Sequence, residues 1–523
     1  MMADKRTRQI HRIIADSLSG RTTIMIAGLG LGGSSVEAIL KQRSAQIVTV
    51  DDKKAASYTF AQVMADDFDW EPVSLVVTSP GFSPHSDFLT RVAARGIPII
   101  SEVEFAWQIR ARNPISGQPA AWIGITGTNG KTSTTEMTAE ILQAASLAAP
   151  AVGNIGVPVS QAAVDENNQA LVVELSSFQL HYTYSLQLEA AAITNLADDH
   201  LDWHGGFENY VADKARVYQH VKKALVYNAD DPRVSQLARQ ARQAQLAQPA
   251  QLAQQAQSDS TCLQVGFTLG QPADGQVGID QGWIVSRTPL IPQGRLAALT
   301  DFPHLTEPDG TVYPHLLADA LCALCLSAGY GVPAQTALSA LQGFAPGGHR
   351  IQKVAVYHKH SANPDSANSP SSGDIRFIDD SKATNAHAAA ASLSSFPDQS
   401  VIWIAGGLSK GAHFDDLVAK QKKVIKAAVI IGQDQSQILH SLHSQAPDIP
   451  YTCIDPGHKN SIMKEAVAAA VSYAQPGNVV LLAPACASMD QFASYADRGD
   501  QFASCAQTWV AHQQEVENFH DQD

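Results

Sequence analysis

The chain has 523 residues, with 36 Lys and Arg against 50 Asp and Glu, and a formal net charge of -14 at pH 7. That length is too great for one ordinary core and fits about two to four domains, while a hydrophobic fraction of 45% fits a globular protein. The acidic balance excludes sequence-independent nucleic-acid binding, which needs clustered Lys and Arg; anionic small molecules remain open, because a few local cations and backbone N–H groups suffice for them.

The N-terminus alternates charges with short apolar pieces and has neither a signal-peptide core nor a cleavage site. No run approaches the length of a membrane span, so the expected compartment is the cytoplasm, with no membrane partner. The six cysteines are sparse and scattered, as in a reduced protein. Cys322 and Cys325 form a CxxC inside the apolar run LADALCALCLSAG, which reads as helix packing rather than a metal pair. Nothing demands a partner chain, so a monomer is expected.

Short β-branched apolar runs alternate with longer helix-like stretches, the pattern of α/β domains with largely parallel sheets. A first block, 1–113, carries TTIMIAGLG, IVTVDD and VSLVVTSPG and ends in the polar RNPISGQP. A second, 114–346, opens on AAWIGITGTNGKTS and runs through LVVELSSFQL, AAAITNLADDH and KKALVYNADD to a Pro-Gly hinge at Pro346 to Gly348. A third, 347–523, carries IRFIDDSKATN, SVIWIAGG, AAVIIG and NVVLLAPAC. The Gln/Ala-rich 236–257 and the polar 360–374 read as insertions, the first as a helix extension interrupted by Pro249.

The sharpest motif is Gly127-Thr128-Asn129-Gly130-Lys131-Thr132, between an apolar strand and a helix. There consecutive N–H groups can turn toward phosphates at the positive end of the helix dipole. Lys131 is placed for the β- and γ-phosphates of ATP and the Thr132 hydroxyl for Mg²⁺. The spacing departs from strict GxxxxGK[ST], because position 125 is Ile. Further along stand Glu174 in VVELSS, His200 in NLADDHLDWH and Lys214 in YVADKARVY. Each is ordinary when read singly: a strand-end cap, a structural histidine, a solvated lysine.

TGTNGKT in this setting resembles the nucleotide motif of Mur ligases and of the related folylpolyglutamate synthases, which couple ATP cleavage to amide-bond formation. The resemblance to Mur ligases covers nearly the whole chain. It implies a Rossmann-like N-terminal domain, a central P-loop ATPase-type domain with a mostly parallel sheet, and a Rossmann-like C-terminal domain. It also implies that Glu174, His200 and Lys214 gather at the γ-phosphate. Thr132 and Glu174 would hold one Mg²⁺, and His200 with a carbamylated Lys214 a second; a carbamate turns an ammonium that metal ions repel into an oxygen ligand. Asn154 in VGNIG matches the asparagine near the muramoyl substrate and the metals. The family's HNxxN helix reads His315-Leu316-Leu317-Ala318-Asp319 here, so Asp319 is the remaining candidate for adenine.

The first block carries Gly28-Leu29-Gly30-Leu31-Gly32-Gly33, a GxGxxG that by itself suggests a dinucleotide site or simply close helix-on-strand packing. The resemblance implies that Gly30, Leu31 and Gly32 hold a uridine diphosphate instead, with Asp52, Lys53, Ser79 and Gly81 beside it. In the third block His349-Arg350 matches the family's HR pair, with Arg350 and Asp380 on the ATP side. Lys382, Thr384, Lys410, Ser488 and Phe492 lie in DSKATN, AGGLSKG and PACASMDQF. The last of these, followed by RGDQF, is similar to members that add D-glutamate, and paired cation and N–H sites suit a dicarboxylic amino acid. The implied substrates are ATP, UDP-N-acetylmuramoyl-L-alanine and D-glutamate, with closure of the C-terminal domain about the hinge. The alternatives are a folylpolyglutamate synthase-like ligase, which should lack the glycine-rich first domain and PACASMDQF; a Mur ligase for another amino acid; a dehydrogenase, which would leave TGTNGKT idle; and a nucleotide sensor that releases no phosphate.

Overall fold

The computed structural model describes residues 2–17, 21–247, 262–306, 312–345, 347–358, 373–409, 411–458 and 461–520. Lys410, Pro346, Pro249 and nearly all of the 360–374 insertion lie outside them.

Among the described residues the strands form three sheets. The first contains β1 (Thr23–Ala27), β2 (Gln46–Val50), β3 (Val73–Thr78) and β4 (Ile99–Ser101), all parallel, in the order β2-β1-β3-β4. β1 is buried along its whole length and feeds two cores by simple alternation. Ile24 and Ile26 pack with Val36 and Leu40 on one face, and Met25 and Ala27 with Val76 and Phe88 on the other. Both faces are covered, which is why this strand is apolar throughout.

The second sheet contains β5 (Ala121–Thr126), β6 (Ala151–Gly153), β7 (Ala170–Glu174), β8 (Ala190–Ile193), β9 (Ala224–Asn228), β10 (Leu263–Phe267), β11 (Gln276–Asp280), β12 (Trp283–Ser286) and β13 (Gly294–Ala298). The order is β13-β12-β11-β10-β9-β8-β5-β7-β6, parallel from β6 to β11, with β12 and β13 added as antiparallel strands. The antiparallel end was not legible in the sequence, where these pieces are short and half-polar. The Gln/Ala-rich insertion begins as helix Pro232–Leu246, started by Asp231, whose side chain accepts from the N–H groups of Arg233 and Val234, with Pro at the first turn.

The third sheet contains β14 (Gln352–His358), β15 (Asp374–Asp379), β16 (Val401–Gly406), β17 (Ile425–Ile431), β18 (Tyr451–Cys453) and β19 (Val479–Leu482), in the order β14-β15-β19-β16-β17-β18. Only β14 runs antiparallel to its neighbour. Its core joins Phe377, Ile402, Ile404, Val480 and Leu482 to Phe502 and Ala506 of the last helix.

The chain forms two compact units, Met1–Phe302 with Ala318–Phe344, and Pro303–Leu317 with Ala345–Asp523. The first holds the four- and nine-stranded sheets, the second the six-stranded sheet. Cys322 and Cys325 are fully buried in helix Pro314–Tyr330 and unpaired, in line with a packing role.

Gly33 shows why the first turn is glycine-rich. A Cβ there would run into the Gly28 carbonyl, at the point where helix Leu31–Gln42 presses on the end of β1. Alanine gains about 1 kcal/mol of helix propensity, but overpacking costs about 1–3 kcal/mol or more and backbone cannot rotate aside. Gly33→Ala is expected to lower the melting temperature by roughly 2–8 °C in calorimetry; a variant that melts at or above the parent would show that the contact is not tight.

Candidate functional site

The phosphate loop leaves β5 and enters helix Lys131–Ala144 through Gly130, which caps it at φ 79 in the left-handed region. A side chain there would also strike the Asp319 carboxylate, so glycine is required twice over. The neighbouring strand end β8 fastens the loop. The Asn129 N–H donates to Asn195 Oδ1 at 2.9 Å, and its carbonyl accepts from Thr194 Oγ1 at 2.5 Å and Asn195 Nδ2 at 3.1 Å. Thr128 Oγ1 pairs with Tyr210 Oη at 2.9 Å. Lys131 Nζ donates to the Thr128 carbonyl at 2.8 Å, which lays its ammonium over the loop that it is expected to serve. Thr132 is half-buried on the first turn of the helix. Asp319 accepts from Thr134 Oγ1 at 3.3 Å, so it stands at the base of the loop.

Glu174 ends β7 and is 2% exposed. One carboxylate oxygen accepts from Asn154 Nδ2 at 2.9 Å, and the other, Oε2, is buried without a partner. A buried orphan oxygen is costly. It is a hard donor and fits Mg²⁺, with the Thr132 hydroxyl as the second candidate. Lys214, 2% exposed on helix Phe207–Ala215, donates to the Gly127 carbonyl at 2.7 Å, and its Nζ stands 4.6 Å from the Tyr210 ring centre. Burial first, and then the Lys131 charge, holds its amine well below the usual lysine range; Asp199 and Glu174 pull the other way. Lys131 and Glu174 are therefore near enough to Lys214 for their charges to act on its amine. His200 begins helix Leu201–His204 at φ 53, exposed, with its ring 4.8 Å from that of Phe178 and its Nε2 3.5 Å from Asp199. It stands at the margin of this group rather than inside it.

A cavity of about 390 Å³ adjoins this group. Its lining includes Gly30, Leu31, Gly32, Ser79, Gly81 and Asn154, together with Glu102, Phe178 and Tyr182. The uridine-diphosphate candidates thus converge, except Asp52 and Lys53, which are not on its wall. Asp52 accepts from the Phe60 N–H at 2.9 Å, and Lys53 is exposed. Asp51 is occupied in fixing the turn, accepting from the Leu29, Lys53 and Lys54 N–H groups. Asn154 joins the two sites, with its flank on the cavity and its amide on Glu174.

In the second unit three loops meet through backbone bonds. Ala485 N–H donates to the Ala383 carbonyl at 2.9 Å, and Leu408 and Ala487 exchange bonds at 2.9 and 3.1 Å. Lys382 and Thr384, Ser488 and Phe492, and the loop that leads to Lys410 are thereby brought together. Ser488 and Phe492 are buried at 3% and 8% exposure, and Lys382 Nζ lies 5.3 Å from the Tyr495 ring centre. Arg350 is buried between two residues of positive φ, His349 and Ile351.

Sequence reasoning assigned no role to Asp199, Thr194, Asn195 and Tyr210. The first three sit in TNLADDH, directly after β8 and beside His200, and their position at a parallel strand end next to the P-loop strand was the signal that could have found them. Tyr210 carries no sequence signal of its own.

A strand–loop–helix cradle beside a buried acid and a buried amine is the arrangement expected of an ATP-dependent, amide-bond-forming ligase. The comparisons agree: the chain matches the Mur ligase middle domain over 125–265 and the Mur ligase glutamate ligase domain over 368–486. It is 56% identical over 495 residues to UDP-N-acetylmuramoylalanine--D-glutamate ligase of Bifidobacterium adolescentis, covering 93% of this chain and 97% of that one. It is 39% identical over 493 residues to the protein of the same name from Streptomyces coelicolor, covering 92% and 96%. A crystal structure of UDP-N-acetylmuramate-alanine ligase from Thermotoga maritima shares the fold at TM-score 0.50 and 16% identity, over 93% of this chain and 99% of that one. The chain belongs to the Mur ligase family.

Asp380 supplies a pH signature. Burial pushes its carboxyl up to about 6, against a bond from Ser392 Oγ that favours the anion, while the neighbouring Asp379 charge pushes it further up. Between the ordinary 3.8 and about 6 the folded chain keeps a proton that the unfolded chain has released. Stability contributed by the protonated acid is therefore lost as pH rises through that window. Asp380→Asn is expected to be more stable than the parent above pH 6 and to lose that advantage below pH 4 in denaturant titrations; an equal difference at both pH values would show that Asp380 titrates normally.

Proposed function

We propose that the chain joins D-glutamate to UDP-N-acetylmuramoyl-L-alanine, with ATP cleaved to ADP and phosphate, as a cytoplasmic step of peptidoglycan precursor synthesis carried out by a single chain. The observation that carries this is the unpartnered Glu174 oxygen beside Lys131 and Lys214 at the phosphate loop, in a chain whose D-glutamate-ligase relatives match 93% and 92% of its length. Division of labour among 1–113 for the uridine diphosphate, 114–346 for ATP and 347–523 for the amino acid is part of the proposal.

The substrate carboxylate attacks the γ-phosphorus, and Lys131 and Arg350 neutralise charge on the transferring group. Magnesium, held by Thr132 and Glu174, supplies further charge neutralisation when bound. The resulting acyl phosphate is captured by the amine of D-glutamate, and the tetrahedral species collapses to amide and phosphate. The amine proton leaves near His200 or to solvent. Lys382, Thr384 and Lys410 suit the α-carboxylate, and Ser488 with the Phe492 backbone suits the side-chain carboxylate. Burial lowers the basicity of Lys214 and so favours the uncharged amine, the form that carbon dioxide adds to. We propose that it carries the carbamate and, with His200, serves a second ion.

Phosphate release with ATP, Mg²⁺ and UDP-N-acetylmuramoyl-L-alanine is expected with D-glutamate and not with L-glutamate, L-lysine or meso-diaminopimelate; turnover with another amine instead would overturn the substrate. Lys214→Ala is expected to lower kcat by roughly 100-fold or more, with partial recovery in added acetate or formate. Full activity of that variant would remove the carbamate.

A further inference from the structure

We infer that Ser177, His204 and Asp213 form a positioning relay that holds the Lys214 helix in register with the Glu174 strand end across the nucleotide pocket. It rests on the ligase assignment above and extends it to residues that touch no substrate.

Asp213 and Lys214 are consecutive on helix Phe207–Ala215 and diverge by about 100° around it. Lys214 reaches the Gly127 carbonyl, while Asp213 turns into the protein, 4% exposed. Its Oδ2 accepts from His204 Nδ1 at 2.9 Å and from His181 Nδ1 at 2.8 Å. Arg216 Nε lies 3.3 Å from the other oxygen. With Nδ1 engaged by the carboxylate, the other ring nitrogen of His204, Nε2, pairs with Ser177 Oγ at 2.9 Å. Ser177 follows Glu174 by three residues, at the start of helix Ser177–His181. The chain Ser177–His204–Asp213 thus spans from the β7 end to the residue beside Lys214. It passes beneath His200, whose carbonyl accepts from the His204 N–H at 3.3 Å.

A serine–histidine–aspartate series invites a nucleophilic role, but burial argues against it. Ser177, His204 and Asp213 are 3%, 3% and 4% exposed, and Ser177 is not on the cavity wall although Phe178, Gln179 and Tyr182 are. What the series does contact is backbone-bearing structure on three elements, each carrying one candidate reacting or metal-holding group.

Two substitutions at His204 cut the relay at different links. His204→Asn keeps an amide near the Nδ1 position for Asp213 and drops Ser177; His204→Gln keeps one near Nε2 for Ser177 and drops Asp213. Both are expected to lower kcat by about ten-fold or more with KM for ATP changed less than about two-fold, as for misplacement of reacting groups. Ser177→Ala added to His204→Asn is expected to cost nothing further, because that link is already open. Amide exchange over 207–215 in the substrate-free protein is expected to quicken in both single variants. Parental kcat in folded variants, or unchanged exchange over 207–215, would overturn the relay. So would a kcat loss matched by faster exchange across the whole chain, which signals general unfolding. If the unmutated protein released no phosphate with D-glutamate, the ligase assignment would fail, and the exchange measurement would still decide the relay.

Discussion

The amine of Lys214 lies in a pocket almost without water, 2.7 Å from the Gly127 carbonyl. A charge there loses its hydration, and the strongest nearby charge, that of Lys131, has the same sign. The fold tolerates this because the amine donates to a carbonyl and lies near a tyrosine face. Glu174, nearby, has the opposite deficit, a carboxyl oxygen with no donor. A magnesium-bound nucleotide would be complementary to this arrangement, with a hard cation for the Glu174 oxygen and phosphate charge between Lys131 and Lys214. The unliganded chain is thus strained electrostatically in the sense that ligand relieves.

That pocket exists because of strand order. β8, β5 and β7 are adjacent and parallel, so their C-terminal ends open on one side. Three loops then meet: Thr194 and Asn195 from β8, the glycine loop from β5, Glu174 from β7. Ligands of open parallel sheets bind at such ends. β6 adds Asn154, which reaches Glu174 on one flank and the glycine-lined cavity on the other. The cavity's remaining wall comes from the first sheet through Gly30 to Gly32 and Ser79. The glycine-lined cavity and the Glu174 strand end are therefore linked by a single asparagine side chain.

Much of this was legible in the sequence, for physical reasons. Strands buried on both faces are continuous apolar runs, so β1, β3, β5, β7, β16 and β19 stood out. Phosphate loops need glycine and lysine at fixed offsets, so residues 127–132 stood out as well. β12 and β13 did not: an antiparallel edge half in water alternates weakly, and Trp283 is exposed. The relay was invisible too, since Ser177, His181, His204 and Asp213 are scattered along the chain and only packing brings them together. Asp52 and Lys53 differ from the other uridine-diphosphate candidates in their placement. A motif match put them on the substrate, whereas the geometry directs Asp52 to a backbone N–H and leaves both off the cavity wall.

Arg498 carries the same lesson to the second unit. An arginine can bind an anion, and a substrate with two carboxylates would suit one. Its guanidinium is instead wholly buried and committed, donating to Ser381 Oγ, to the Ser381 carbonyl and to the Cys486 carbonyl at 2.9, 2.8 and 3.1 Å. Those bonds tie the loop of Lys382 and Thr384 to the loop of Ser488. Withdrawing those donors would leave buried carbonyls unpaired, a larger cost than a substrate carboxylate in that position could offset. Recognition of a dicarboxylic amine must then fall to the groups that Arg498 aligns, and a lysine in its place could not reproduce the fork that holds both loops at once.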